Sequence, residues 1–425
     1  MSRWDRIVSA EIRVSERFRH ATDIFALVHA ILFVPVFLGT THFILLGPGL
    51  GDDLTFSHLT SFFQDATAAG PIPLLLLAGL LCLSTGYRGL IFYRGYKEYG
   101  NWAGQALPIK DYLVFTAMNL MNAFFLPVMS LVIGAMAIGF GFSFADGLQA
   151  VTRVQVAANQ AIDQVPTIFH LPRLEAFFAT FMAVTFVHYW MHRISHTRRF
   201  MWLVFHRPHH MPENLCPGTV LPFVMSFPLA IFILAPYIFL FGAISKLFYP
   251  EPFYYEMIVF TLIFGISEIH NHSPALYEKA VKTWWLRWLS FAFCNGPYHV
   301  LHHAADRDER FRKSAWTANI SLSFFCIWDI LFGTFRPLGE KLPELGLTDK
   351  PRLVYNPVRL LVSGPAQILY ELYWNKSRHD RFLIVFGRAD YYPPITKDFA
   401  LYRDLGVHPP KDRALVAVGS GNLSS

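Results

Sequence analysis

Long apolar runs separated by short polar segments fill the first two thirds of the chain. Six runs are long enough, or nearly so, to cross about 30 Å of hydrocarbon as helices; they cover about 24–48, 71–93, 111–142, 174–191, 219–244 and 253–271. The chain after about residue 272 is much more polar. This pattern predicts an all-α, polytopic transmembrane protein of about six spans, although the shorter fourth and sixth runs also fit buried core helices or re-entrant segments.

Basic residues are unevenly divided among the loops between these runs. Five arginines precede the first run, whereas residues 49–70 contain neither Lys nor Arg. Because cytoplasmic loops carry the excess of Lys and Arg, both termini, residues 191–218 and everything after about 272 are predicted to be cytoplasmic. The chain has a formal net charge of +6, and its basic residues lie in short clusters beside apolar runs. This arrangement favours anionic headgroups as partners and argues against nucleic acid.

The polarity pattern also suggests a division of the chain. We expect an N-terminal transmembrane region over 1–150, a central region with a cytosolic histidine-rich helical cap over 170–335, a cytosolic extension over 336–410, and a flexible tail over 411–425. Within the extension, an amphipathic helix is predicted from Val358 to Trp374. The four cysteines follow no regular spacing, so neither a disulfide framework nor a zinc ribbon is indicated.

Eleven of the 18 histidines fall in two short windows, His188–His210 and His270–His303. Side chains three and four residues apart share one face of a helix, so each group can direct several imidazoles at one point. Eight imidazoles exceed what one ion uses, which implies two metal ions. The strongest ligand candidates form one HxxxH and two HxxHH motifs: His192, His196, His206, His209, His210, His299, His302 and His303.

The residues around these motifs exclude two other metal-site classes and leave several roles open. A zinc protease needs HExxH, but Arg193, Ile194 and Ser195 stand inside the first pair, and the paired ExxH motifs of carboxylate-bridged di-iron bundles are not matched. His188 is either a ligand or a packing residue, and only one of His270 and His272 needs to enter the site. Three further residues either accept the second N–H of a ligand ring or serve as ordinary caps: Glu268, Asn295 and Asp329.

The order of the motifs resembles the fatty acid hydroxylase and sterol desaturase superfamily. The matching pieces are YWMHRISH at 189–196, HRPHH at 206–210, HVLHH at 299–303 and WDILFGTF at 328–335. The resemblance covers roughly 170–395 and implies that 170–335 is the catalytic region. The C-terminal part is most similar to the alkylglycerol monooxygenase-like branch. The resemblance also implies that the eight motif histidines are metal ligands and adds His272 as a ninth.

The same resemblance implies a membrane-bound enzyme with two iron ions. Such an enzyme hydroxylates or desaturates a C–H bond of a fatty acyl, sterol or ether lipid, with O₂ as co-substrate and electrons from outside. The chain contains no Rossmann glycine fingerprint or flavin motif, so the electron donor is expected to be a separate b-type cytochrome or ferredoxin with its reductase. Four arginines are candidate contacts for a lipid headgroup or for that donor, unless they only obey the positive-inside rule: Arg193, Arg198, Arg199 and Arg207.

A metal-transporting or haem-binding membrane protein is the alternative hypothesis. Such a protein would need polar or ionisable residues along several spans. The first three runs contain few, and the histidines collect at one side. The sequence therefore favours the oxygenase over the transporter.

Overall fold

A computed structural model describes most of the catalytic region and parts of the flanking regions. The described residues are 3, 6–7, 10, 13–25, 27–28, 71–100, 125–215, 231–253, 271–293, 296–305, 318–321, 326–347 and 356–394. Within them the regular elements are helices, and β structure is limited to two isolated bridges, Arg198–Arg388 and Ala304–Leu345. The prediction of a helical protein is confirmed for this part of the chain.

Four helices coincide with predicted apolar runs. They are α1 (Pro71–Tyr99), α2 (Phe125–Gly139), α4 (Arg173–Thr197) and α6 (Ile231–Phe248). The first and sixth runs lie almost wholly outside the described residues. Of the helices that the structure describes, α4 alone meets the length and hydropathy expected of a membrane-crossing helix. The arrangement of six spans therefore stays a prediction.

A further helix, α3 (Phe144–Asp163), lies where the sequence pattern suggested only a loop. Ser143 caps its N-terminus, since the Ser143 hydroxyl accepts from the Asp146 N–H and the Asp146 carboxylate accepts from the Ser143 N–H. Such reciprocal capping satisfies backbone donors that the first turn would otherwise expose. Helix α3 folds back on α2, and the absence of a side chain at Gly134 leaves room for the Phe144 ring.

Helix α4 separates two ends of the molecule. At its N-terminal end, the N–H groups of Ile168 and Leu171 donate to the carbonyls of Leu247 and Phe248, so the start of α4 adjoins the end of α6. The two helices pack through a buried apolar core that includes Val184 on α4. The 25 residues of α4 span about 37 Å at 1.5 Å per residue, and its far end carries the first histidines.

Short helices continue from that far end. They are a π-helical segment (Met201–His206), α5 (Arg207–His210), α7 (Pro274–Lys282), α8 (Trp284–Phe293), α9 (Pro297–His302) and α10 (Ile327–Leu331). The extension supplies α11 (Pro357–Trp374) and α12 (Arg378–Phe386), and α11 confirms the predicted amphipathic helix almost to the residue. It packs closely on the π-helical segment, because a Cβ at Gly364 would lie only 1.9 Å from the Leu203 carbonyl oxygen.

Candidate metal centre

Nine buried histidines meet at the C-terminal end of α4. Eight of them form two groups of four, and within each group the candidate ligand nitrogens all lie within 4.8 Å of one another. The first group comprises His192, His196, His206 and His302; the second comprises His209, His272, His299 and His303. Every member is buried. The fold thus brings together residues that are up to 111 positions apart (303 − 192) in the chain.

The first group is assembled from three helical elements. His192 and His196 lie one turn apart on α4, His206 ends the π-helical segment and His302 lies on α9. The Nε2 atom of His206 lies 3.0 Å from that of His192 and 2.8 Å from that of His196. The Nε2 atoms of His196 and His302 are 3.0 Å apart. Four imidazole nitrogens therefore face one small volume.

The second group closes around His272, which directly follows Asn271 and precedes α7. Its Nε2 atom lies 3.2 Å from the Nε2 atoms of both His303 and His299, which are themselves 3.1 Å apart. The ring of His209 is next to them, with its centroid 4.4 Å from that of His303. His272, which the resemblance added to the motif histidines, is thus a full member of this group.

His210 lies between the two groups. Its Nε2 atom is 3.0 Å from that of His206 in the first group, and its ring stacks on His303 of the second group at a centroid distance of 4.3 Å. The π-helical turn precedes it, with the Arg207 N–H donating to the Trp202 carbonyl. Such turns insert an extra residue into a helix and are frequent at functional sites.

Two backbone carbonyls orient rings of the first group. His192 Nδ1 lies 2.5 Å from the Ile320 oxygen, and His302 Nδ1 lies 2.7 Å from the Ala318 oxygen. A carbonyl can only accept, so each Nδ1 carries the proton, and each Nε2 presents its lone pair to the group. Residues 318–321 therefore select the tautomer of two candidate ligands.

Asp329 holds these carbonyls in place. Its carboxylate accepts from the N–H groups of Ile320 and Ser321 at 2.7 and 3.0 Å and from the Thr334 hydroxyl at 2.6 Å. The sequence left two roles open for Asp329, acceptor of a ring N–H or ordinary cap. In the structure its carboxylate accepts from backbone N–H groups, and the Ile320 peptide lies between Asp329 and His192. Burial raises the pKa of Asp329, while these hydrogen bonds act in the opposite direction.

The electrostatics of the rings fit a bound cation. Burial lowers the pKa of His272 to about 3 and that of His302 to about 4, so these imidazoles are neutral at neutral pH. When a neutral ring carries its proton on Nδ1, its Nε2 has only a lone pair. Several such nitrogens facing one another at about 3 Å therefore lack hydrogen-bond donors. A divalent ion about 2.0–2.1 Å from each nitrogen would satisfy the exposed lone pairs.

Among the other candidate ligands, His188 is described and is not part of either group. His188 is half-buried one turn before His192. Glu268, His270 and Asn295 lie outside the described residues, so their predicted roles stay predictions.

Two of the four arginines are buried and do not match the expectation of surface contacts. Arg199 forms a two-armed ion pair with Glu371 on α11, and its side chain is 1% exposed. Arg207, also buried, donates to Gln367, which in turn donates to Glu371. These buried cations flank the histidine motifs and attach them to the extension, which corrects their assignment as contacts for a headgroup or an electron donor.

Arg193 and Arg198 differ from this buried pair. Arg193 is half-buried, donates to the Tyr189 hydroxyl and lies 5.2 Å over the Trp190 ring. Arg198 is exposed. Of the four arginines, Arg198 best retains the predicted character of a surface contact.

Comparison with known proteins agrees with this geometry. The fatty acid hydroxylase family model matches residues 177–334. Alkylglycerol monooxygenase of Homo sapiens is 23% identical over 228 residues, and that of Xenopus tropicalis is 26% identical over 222 residues; each match covers 51% of this chain and 42% of the relative. The chain thus spans less than half the length of these curated relatives. No solved structure matches it. Residues 177–334 are therefore similar to the fatty acid hydroxylase family, and the longer match is to proteins named alkylglycerol monooxygenase.

Proposed function

We propose that this chain is a membrane-bound, non-haem di-iron oxygenase that hydroxylates a C–H bond of a lipid. The observation that carries the proposal is the pair of adjacent, buried groups of four imidazoles inside the segment that matches the fatty acid hydroxylase family. Nitrogen ligands in this number suit iron. One group per ion accounts for eight histidines, and His210 lies between the two groups.

Two iron ions, when bound, would supply the redox chemistry that activates O₂ toward an unreactive C–H bond. The overall reaction consumes the lipid, O₂, two electrons and two protons, and it yields the lipid alcohol and water. This chain's own residues hold the ligands, keep their rings neutral and exclude bulk water by burial. The Ala318 and Ile320 carbonyls keep the Nε2 atoms of His302 and His192 deprotonated and available.

An ether lipid is the substrate class that we favour among fatty acyl, sterol and ether lipids. The support is the similarity to two proteins named alkylglycerol monooxygenase. Hydroxylation of the carbon next to an ether oxygen gives a hemiacetal, which breaks down to an aldehyde and an alcohol. Desaturation of the lipid is the competing outcome, since it differs only in whether a second hydrogen is removed.

We further propose that the electrons come from a separate b-type cytochrome or ferredoxin and that the histidine end of α4 faces the cytoplasm. The excess of Lys and Arg in residues 191–218 supports this orientation. At the boundary between the bilayer and the cytosol, the metal centre would be accessible to a lipid from the bilayer and to a soluble electron donor from the cytosol.

A haem-binding or transporting protein is less consistent with the packing of the cluster. The rings of different motifs contact one another directly, for example His210 on His303 at 4.3 Å. A porphyrin between two axial histidines would need these rings to be separated by its full thickness. Their mutual contact favours bare metal ions, and not a haem, as the bound group.

The decisive experiment is a comparison of lipids from cells with and without the gene, grown under heavy-isotope oxygen. Gene-dependent appearance of the label in a lipid alcohol or aldehyde would support hydroxylation and identify the substrate. A new, unlabelled double bond would select desaturation. Purified protein that binds no stoichiometric iron would contradict the di-iron assignment.

A further inference from the structure

Three tryptophans stand on the outer surface of helix α8. Trp284, Trp285 and Trp288 are 80%, 53% and 64% exposed, and Leu289 beside them is 40% exposed. Large apolar side chains that cluster on a surface mark an interaction site more often than isolated ones do. The exposed indoles of α8 therefore indicate a binding surface for an apolar partner.

Helix α8 has two distinct sides. Trp284 and Trp288 are four residues apart, as are Trp285 and Leu289, so they share one broad outer face. Ser290 faces inward and is buried. Phe291 packs on Tyr298 and Phe335 at centroid distances of 6.2 and 5.6 Å. The helix is thus fixed to the body of the protein along one side and exposes tryptophan along the other.

Basic residues lie close to these tryptophans in the chain. Lys279 and Lys282 on α7 and Arg287 on α8 are exposed. Glu278 is the acidic residue between Pro274 and Phe293, so this stretch carries a net charge of +2 (three cations minus one carboxylate). Indole rings combined with Lys and Arg are the typical composition of a surface that lies at the boundary between headgroups and acyl chains.

We propose that residues 274–293 form an interfacial membrane anchor. The indoles of α8 insert at the level of the lipid headgroups, and the three cations contact anionic lipids of the same leaflet. The occupant is a bilayer, because this face combines apolar area with positive charge, whereas the core of an interface between proteins is depleted of charge. The inference rests on the membrane location in the proposed function.

The anchor would also set the height of the metal centre above the lipid. Phe291 of α8 contacts Tyr298, which directly precedes His299 of the second group. A rigid helix on the membrane surface would therefore hold the second histidine group at a fixed distance from the acyl chains. Such an arrangement suits an enzyme whose substrate stays in the bilayer.

The test compares the full chain with the triple variant Trp284→Phe, Trp285→Phe, Trp288→Phe in lipid nanodiscs. The discs contain phosphatidylcholine with phosphatidylglycerol, and the acyl chains are either plain or brominated. The difference in emission between the two proteins reports the three indoles among the ten tryptophans of the chain. We expect brominated lipid to quench more than half of this difference, and aqueous acrylamide to quench little of it.

Three results would overturn the anchor. Quenching by acrylamide and not by brominated lipid would place the face in water, and protection from both reagents would indicate a second copy or another protein on it. Lys279→Glu with Lys282→Glu should reduce the lipid quenching, whereas Lys376→Glu in the extension should not. Equal effects of both charge changes would also contradict the assignment. Metal content, measured on the same samples, shows whether the proposed centre survives independently of the anchor.

Discussion

The two ring nitrogens of His192 face different partners. Its Nδ1 contacts the Ile320 carbonyl, and its Nε2 points to the other imidazoles of the first group. Hydrogen bonds to the nitrogen that does not bind metal fix the orientation of a ring and raise its basicity. In the second group, the Nδ1 atoms of His272, His299 and His303 have no hydrogen-bond partner among the described residues. The described hydrogen bonds thus orient His192 and His302 of the first group.

The residue that anchors the first group is Asp329. We expect Asp329→Asn to weaken metal retention about 10- to 100-fold, because an amide cannot accept from both the Ile320 and Ser321 N–H groups and the Thr334 hydroxyl. Competition with a chelator, followed by metal analysis, measures the change. Asp146→Asn is the control, since Asp146 also accepts a backbone N–H but lies far away in the cap of α3. Equal retention by both variants would contradict the role of Asp329.

Single ligand variants should divide the metal content between the groups. We expect His302→Ala and His299→Ala each to lose at least half of the bound metal, because each removes one imidazole from a different group of four. The double variant should lose nearly all of it. His379→Ala, an exposed histidine on α12, is the control. Metal analysis of the purified proteins measures the metal bound per chain. Full metal content in either single variant would contradict the ligand assignment.

At the level of elements, helix α11 is the part of the extension that bears on the metal centre. It packs on the π-helical segment that ends at His206. It also supplies Glu371, which pairs with Arg199 three residues after His196. Residues from beyond the family match therefore position histidines that lie within it.

The contact of α11 with the π-helical segment depends on Gly364. Alanine there would place a Cβ 1.9 Å from the Leu203 carbonyl oxygen, and overpacking of this kind typically costs about 1–3 kcal/mol. We expect Gly364→Ala to lower the thermal stability of the protein in nanodiscs. Gly86→Ala in α1 meets nothing within 4 Å and should be neutral or stabilising, by up to about 1 kcal/mol. An unchanged melting temperature for Gly364→Ala would show that the helices need not approach so closely.

The buried ion pair gives a second test of the same element. Glu371→Gln leaves the Arg199 guanidinium buried without its carboxylate, which typically costs about 3–5 kcal/mol. Asp390→Asn removes the partner of Arg388 in an exposed pair, where a loss of about 0–1 kcal/mol is typical. Denaturation of both variants in the same detergent compares their losses of stability. A similar small loss in both would mean that the Arg199–Glu371 pair does not stabilise the packing of α11.

At the level of the whole molecule, local patterns in the sequence predicted more than long-range pairs. The HxxxH and HxxHH spacings identified the cluster, because helical periodicity links neighbours in the chain. The environment of Arg199 could not be foreseen, since its partner Glu371 lies 172 residues away. The sequence signal for α3 was present in Ser143 and Asp146, but a polar stretch after an apolar run was interpreted as a loop.

The fold also bears on the proposed membrane topology. Residues 192–210 and 272–303 meet in one cluster, so in that topology the stretch between them leaves and returns to the same side. At the opposite end of α4, residues 168–171 bond to residues 247–248. The loops predicted to face away from the cytoplasm thus adjoin each other, about 37 Å of helix from the histidines. This agrees with two spans between 211 and 271, as the apolar runs suggest.

Labelling with a membrane-impermeant thiol reagent tests this topology. Arg198 and Glu251 are exposed at opposite ends of the molecule, so Arg198→Cys and Glu251→Cys should react from opposite sides of the membrane. We expect Glu251→Cys to react in intact cells and Arg198→Cys only after lysis, each compared with the unsubstituted chain because Cys82 is itself exposed. Reaction of both variants from one side would exclude α4 as a spanning helix, while the geometry of the histidine cluster would stand unchanged.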